Sequence, residues 1–293
     1  MANYPTHSLH GEIVTGEIDK KVDLKDEDIR TFCLGFDTLI VPDNDLFKLL
    51  HRKDTKTYFE SLIKLIIDNK LQDNSEAMAF LYGQLDHFIL DIYLHPLIYY
   101  MTKGLDKEYT MDYHALFEHW MDDYVIEKYR DGELVPYDKL KIDDVRFRIA
   151  IDELYKRLYN KDNIATKYDI GITLTYLYDY LIRRNHLLVA PQICSILNLG
   201  DVFYGDSERA IPFLNLNHDV WYNPETEEKL TTSFDDLWLK SIEQAEEALT
   251  DVNRAIYGGK PITTSFITDN LSANTGLNCD VPQEFKKIKI YKR

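Results

Sequence analysis

The stretch Leu81-Tyr82-Gly83-Gln84-Leu85-Asp86-His87-Phe88-Ile89-Leu90-Asp91-Ile92-Tyr93-Leu94-His95-Pro96-Leu97-Ile98 is apolar on nearly every side, yet carries an imidazole, a carboxylate and a second imidazole at four-residue spacing. A strand would alternate apolar and polar residues. Here apolar side chains run round a 3.6-residue period, so the segment reads as a helix in the centre of a bundle. It starts near Ser75, and Pro96 predicts an end around His95-Pro96, because a residue preceding proline is pushed out of the helical region. At ~100° per residue, His87, Asp91 and His95 drift by about 40° per step and form a ladder about two turns long on one face. An ionised carboxylate in such surroundings is costly unless paired or metal-bound, and neutral imidazoles beside it are ready nitrogen ligands.

Helical periodicity continues on both sides of this segment. From Tyr58 to Leu71 the residues Phe59, Leu62, Ile63, Ile66 and Ile67 form one stripe, and further helices are predicted near Glu27 to Phe36, Tyr113 to Tyr129, Asp143 to Leu158 and Tyr168 to Arg184. A last helix, Ser233 to Tyr257, has both ends marked: Ser233 and Asp236 form an S-x-x-D start, and Gly258-Gly259 with Pro261 supplies the stop. Residues 185–232 and 260–293 hold most of the turn formers and read as loops over the helical body. With no internal repeat or low-complexity linker, the expectation is an all-α, single-domain helical bundle spanning 1–293.

Composition bounds the function. Of 293 residues 45% are hydrophobic and 29% charged, with twelve glycines and nine prolines, so a packed core is feasible and disorder is disfavoured. Thirty-four basic against 50 acidic residues give a formal charge of −16, which disfavours nucleic acid and anionic bilayers as partners. Cys33, Cys194 and Cys279 form no CxxC pair, so no thiolate zinc site or disulfide framework is read. The chain opens without a basic start and apolar run, and no apolar run approaches the ~18 to 20 residues that span a bilayer. A cytoplasmic protein without an integral membrane segment is expected.

A second constellation, His114-Ala115-Leu116-Phe117-Glu118, places a histidine and a glutamate one turn apart on a neighbouring helix, able to clasp one metal ion from one side. The order Asp86-His87 departs from the His-Asp dipeptide of helical phosphohydrolases, and no Glu-x-x-His motif recurs as in di-iron bundles. The imidazole-rich set suits zinc. The competing reading is structural: a buried His–Asp network that fixes helix packing and a solvated His114–Glu118 pair. His10 reads as a packing or surface histidine with extra-ligand potential, and His119, His186 and His218 read as structural.

These residues carry a resemblance. The run from Leu81 to Ile98 resembles the G-x-x-x-H-x-x-x-D-x-x-x-H-P segment of the bacterial zinc-dependent phospholipase C family. Thr6-His7 with Gly11 is similar to the T-H-x-x-x-G entry of its unexported members, Gly35-Phe36-Asp37 to its G-x-D turn, and His51 to the single histidine after it. His114 to Glu118 resembles its H-x-x-x-E, Trp221 to Thr226 before Ser233-Phe234 its W-x-x-P-x-T and S-F pair, and Asn274-Thr275-Gly276-Leu277 its T-G-L element.

The resemblance implies a cluster of two or three zinc ions and a water, activated on zinc, that attacks phosphorus without a covalent enzyme intermediate. It distributes His51 and His87, with Asp37 nearby, to one zinc; His95, His114 and Glu118 to a second; and Asp91 as a bridge to a third held by His7. Asp37 is ligand, general base or both, and Asp43 competes for that acidic role. The implied activity is a phospholipase C-like phosphoric diester hydrolase acting on a phospholipid or other phosphodiester. The alternatives are a non-catalytic zinc-binding or partner-binding scaffold and a nuclease-like phosphodiesterase. The cleft is expected under loops near residues 37 to 57 and 187 to 232.

Overall fold

The computed structural model describes residues 4–108, 113–180 and 207–290. Its helices are α1 (Tyr4–Glu17), α2 (Asp26–Phe32), a 3-10 helix (Gly35–Leu39), α3 (Asn44–Arg52), α4 (Thr55–Asp68), α5 (Ser75–Glu108), α6 (Tyr113–Arg130), α7 (Val145–Tyr159), α8 (Ile164–Asp179), α9 (Ser207–Ala210), α10 (Phe234–Gly258) and α11 (Ser265–Thr268). One two-stranded antiparallel sheet interrupts them, pairing Trp221 with Leu230 and Tyr222 with Lys229. The fold is all-α in class, as the periodicity predicts.

Local chemistry sets several boundaries. Ser233 and Asp236 form a reciprocal capping box at the start of α10, and Gly259 (φ +60°) ends it in the left-handed conformation that glycine adopts without strain. Asp144 caps α7 by accepting from the Phe147 N–H at 2.8 Å, and Asn160 (φ +55°) closes it.

Helix α5 is the axis, with α1, α2, α4, α6 and α10 packed around it. It does not stop at Pro96; it runs 34 residues, with the proline inside. A helical proline forfeits one backbone hydrogen bond. Burial of Leu94, Leu97, Ile98 and Met101 against α6, the sheet and the start of α10 offsets that loss, so packing overrides the local signal. Along α5 one apolar core, built with α2 to α4, α7, α8 and the later part of α10, ends at Ile89, and a second begins at Leu90. The polar ladder sits where the two cores meet.

Two helices depart from the sequence expectation. Helix α1 buries Thr6, His7, Ser8 and His10 rather than an apolar stripe, so periodicity does not announce it. Helix α3 occupies what the sequence reads as loop, capped by Asp43 and anchored by Leu46 and Leu50. The predicted 27-to-36 helix stops at Phe32, because Gly35 (φ +55°) turns the chain into the 3-10 helix. The described part of 207–232 is short helical turns and the sheet rather than plain loop. His186, Cys194, the end of the predicted Tyr168-to-Arg184 helix and the 187–206 part of the expected cover lie outside the described residues. Among the described residues, no helix is long and apolar enough to cross a membrane.

Candidate metal centre

Five elements deliver the eight nominated residues to one place. Helix α5 presents His87, Asp91 and His95 on successive turns, α1 brings His7, the 3-10 helix Asp37, α3 His51, and α6 His114 and Glu118. Asp91 is the hub. Its Oδ2 lies 3.3 Å from His87 Nε2 and 3.8 Å from His51 Nε2, and its Oδ1 lies 3.5 Å from His7 Nε2 and 3.9 Å from His95 Nε2. Asp37 Oδ1 is 3.1 Å from His51 Nε2 and 3.9 Å from His87 Nε2. Glu118 Oε1 is 2.9 Å from His114 Nε2 and 3.7 Å from His95 Nε2. Three sets of donor atoms, each mutually within 4.8 Å, result: His7, His87 and Asp91; Asp37, His51 and His87; and His95, His114 and Glu118.

Main-chain carbonyls orient three of the rings. His51 Nδ1 contacts the Phe47 oxygen at 2.8 Å, His87 Nδ1 the Cys33 oxygen at 3.2 Å, and His95 Nδ1 the Ala273 oxygen at 3.1 Å. A carbonyl only accepts, so each Nδ1 carries the proton. In the neutral ring Nε2 then keeps a lone pair directed into the cluster, the arrangement by which imidazoles are prepared for a metal.

Close backbone approach is built in at Gly35. A Cβ there would lie 2.2 Å from His87 Cγ, and φ is +55°, so both space and backbone require glycine. Helix α1 is pinned on either side of His7. The Thr6 N–H and hydroxyl donate to Asp122 of α6, at 3.1 and 2.5 Å, and His10 bridges Asp86 (2.8 Å) and Ser241 (2.9 Å) in full burial. His10 is therefore a buried link among α1, α5 and α10 and belongs to none of the three donor sets.

Electrostatics divide the cluster. Burial pulls His7 and His87 down to about 4, so both are neutral at pH 7. Burial also opposes charge on His95, but Asp91 and Glu118 outweigh it and lift that imidazole to about 9. Burial raises Asp91, and the surrounding histidines only partly counter it. For Asp37 and Glu118 burial is overcome by the adjacent histidines, which hold both carboxyls well below the usual range.

The donor set fits zinc. Imidazole nitrogens and carboxylates in groups of three match its preferred ligands. The buried His87 Nε2 and His7 Nδ1 have no hydrogen-bond partner among the described residues, and His87 lies against Asp91 without a hydrogen bond. Desolvating three carboxylates and five imidazoles in one place is unfavourable unless a cation compensates them.

A cavity of 490 Å³ opens over these residues, with Asp37, His51, His95, His114 and Glu118 in its floor. Its wall takes Asp37, Phe47, His51 and Arg52 from the predicted 37-to-57 cover and, among the described residues, none from 207–232. Tyr99 comes from α5, Arg52 from the end of α3, and Asn274, Gln283 and Phe285 from the C-terminal segment. The 44–52 stretch of the expected cover is helix and contributes wall. Asp43 is directed elsewhere: it caps α3 and pairs with Lys161 (2.7 Å) and Lys167 (2.6 Å), so of the two carboxylates only Asp37 stands among the donor sets. His218 contacts the Thr231 carbonyl and Asp236 outside the cluster, and buried His119 is in none of the three donor sets.

Residues 26–165 match the sequence family described as zinc dependent phospholipase C. Seven of the eight nominated residues fall within that span; His7 precedes it. Comparison with curated proteins and with solved structures finds no match.

Proposed function

The chain carries a zinc-dependent phospholipase C family domain across residues 26–165, and on that premise we propose that it is a metal-dependent phosphoric diester hydrolase. The observation that carries the reading is the convergence of His7, Asp37, His51, His87, Asp91, His95, His114 and Glu118 beneath one open cavity. His51, His87 and Asp37 would hold one zinc; His95, His114 and Glu118 a second; and Asp91, whose two oxygens face different histidines, would join these to an ion at His7. Zinc, when bound, supplies Lewis acidity that makes water a competent nucleophile near neutral pH and offsets charge on the phosphoryl oxygens.

The remaining work falls to the chain. Asp37 lines the cavity, is held ionised by its histidine neighbours, and accepts the proton that the attacking water gives up as the new bond to phosphorus forms. The P–O bond to the alcohol portion breaks, its oxygen leaves with the bonding pair, and it takes a proton from solvent in the open cavity. No serine, threonine or cysteine appears among the described lining residues, and burial pushes the Tyr99 phenol far from ionisation. Direct attack by water, without a covalent enzyme intermediate, is the chemistry such a wall supports.

The test is hydrolysis of bis(p-nitrophenyl) phosphate by the zinc-loaded chain, with zinc counted in the same sample. The expected result is two or three ions per chain and turnover that chelation removes and zinc restores. Bound zinc with no turnover of this or any other diester would leave a metal-stabilised scaffold and refute the hydrolase.

A further inference from the structure

We propose that the cavity over the metal groups selects a phosphate ester whose alcohol portion carries a second negative charge, a carboxylate or another phosphate, and rejects a quaternary ammonium head. The proposal rests on the hydrolase reading and names the substrate class of that same site.

Charge in the cavity is the first argument. Its described lining residues include two carboxylates, Asp37 and Glu118, and both belong to the candidate metal groups. The other charged residues there, Arg52 and Lys103, are both cationic, on a chain whose formal charge is −16. With the two carboxylates committed to the metal groups, the formal charge left on the wall is cationic, which favours an anionic ligand and raises its local concentration. Arg52 is also held in place: the Asn274 side-chain oxygen, with its amide turned to satisfy both groups, accepts from Arg52 Nε (2.5 Å) and Nη2 (3.2 Å). A guanidinium fixed in one plane suits the two oxygens of a carboxylate or phosphate.

The aromatic wall is the second argument. Tyr99 stacks on His114 (centroids 4.8 Å apart) and His95 (5.4 Å), and Phe285 packs on Tyr99 at 4.9 Å, so an aromatic surface leads straight up from the metal groups. Aromatic faces recognise quaternary ammonium groups by attracting the cation to the ring. In this chain Lys103 Nζ already stands 5.6 Å from the Tyr99 centroid and 6.0 Å from that of Phe285. The protein's own ammonium takes the place a choline head would need, and a choline brought there would meet like charge. A carboxylate or phosphate extending from the ester would instead meet Lys103 and Arg52 together.

The first experiment needs no turnover. Binding of phosphocholine, ethyl phosphate and 2-phosphoglycolate to the zinc-loaded full chain is measured by calorimetry; the three share the phosphate and differ in the charge beyond it. We expect 2-phosphoglycolate to bind about tenfold more tightly than ethyl phosphate and phosphocholine to bind most weakly, with the spread shrinking as ionic strength rises. In the Arg52→Gln/Lys103→Gln double variant the three affinities should converge to within about threefold. If that variant fails to fold, Lys103→Gln alone must still narrow the gap. Phosphocholine binding as tightly as 2-phosphoglycolate in the unaltered chain overturns the proposal.

If the ranking holds but no diester is hydrolysed, the charge preference stands and the hydrolase reading falls. Two further arms separate the sources of the shared chemistry. Cleavage of phosphatidylinositol 4-phosphate in vesicles indicates a lipid head group, and cleavage confined to the soluble p-nitrophenyl phosphodiester of glycolate indicates a small ester. Phosphatidylcholine vesicles hydrolysed as fast as the anionic substrates count against the proposal.

Discussion

Replacing Asp91 by asparagine keeps the side chain's size and removes its charge from a position 3.3, 3.5, 3.8 and 3.9 Å from four imidazoles. Loss of a charged ligand weakens zinc by about 100-fold at each site it serves, roughly 2.7 kcal/mol. With zinc at 100 times the dissociation constant of the unaltered chain, binding stabilises that chain by about 2.7 kcal/mol. The variant, its constant now equal to the free zinc, gains only about 0.4 kcal/mol. At about 2 °C per kcal/mol for a chain of this size, zinc should raise the melting temperature by about 5 °C in the original and about 1 °C in Asp91→Asn. Differential scanning fluorimetry with and without zinc reads each variant against its own metal-free state, so any effect on the empty fold cancels. Zinc content measured on the same samples should fall, and hydrolysis should disappear. An Asp91→Asn chain that keeps the full zinc-induced shift would refute the bridging role.

Three further outcomes follow. Gly35→Ala forces a Cβ to within 2.2 Å of His87 Cγ at a φ of +55°, so it should lower stability by about 1 to 3 kcal/mol and reduce zinc affinity, read by thermal melts and metal titration. Asp43→Ala breaks two lysine contacts and a helix cap, and should lower the melting temperature while leaving zinc content and activity intact; Asp37→Asn should lower zinc content and activity while leaving the melting temperature of the metal-free chain near its original value. Glu225 is buried, and desolvation pushes its carboxyl up to about 7 against the pull of its own backbone N–H, His95 and Lys286. Folding therefore takes up a proton between pH 4.5 and about 7, and the ionised group destabilises the fold above that range. Glu225→Gln should be neutral at pH 4.5 and stabilising by up to about 3 kcal/mol at pH 8, in urea melts at the two pH values. A constant difference across that range would contradict the sign.

The central ladder was legible because its geometry is local: three residues at four-residue spacing on one helix share a face wherever that helix lies. Helix α1 was not, since its inward face includes Thr6 and His10, whose partners Asp122, Asp86 and Ser241 are far away in sequence. Helix α3 did leave a signal, the Asp43 cap followed by Leu46 and Leu50 one turn apart, though its nine residues are a short window for periodicity. Pro96 misled because a local rule met a stronger tertiary one. The carbonyls of Cys33, Phe47 and Ala273 orient three histidines, yet any residue supplies a carbonyl, so no letter of the sequence marks them. The cationic rim was hidden for a related reason: Arg52, Lys103 and Phe285 meet only once the C-terminal segment returns across α5.

That return sets an order of events during synthesis. His95 takes its orientation from the carbonyl of Ala273, 178 residues later in the chain. At ~5 to 20 residues per second, the ribosome needs about 9 to 36 s to travel from one to the other. A nascent polypeptide already displaying the imidazoles of α3, α5 and α6 lacks the tail segment that aims one of them. On the proposed zinc reading, faithful metal loading is a late step, and truncations before residue 273 should capture zinc loosely even though all eight nominated residues are present.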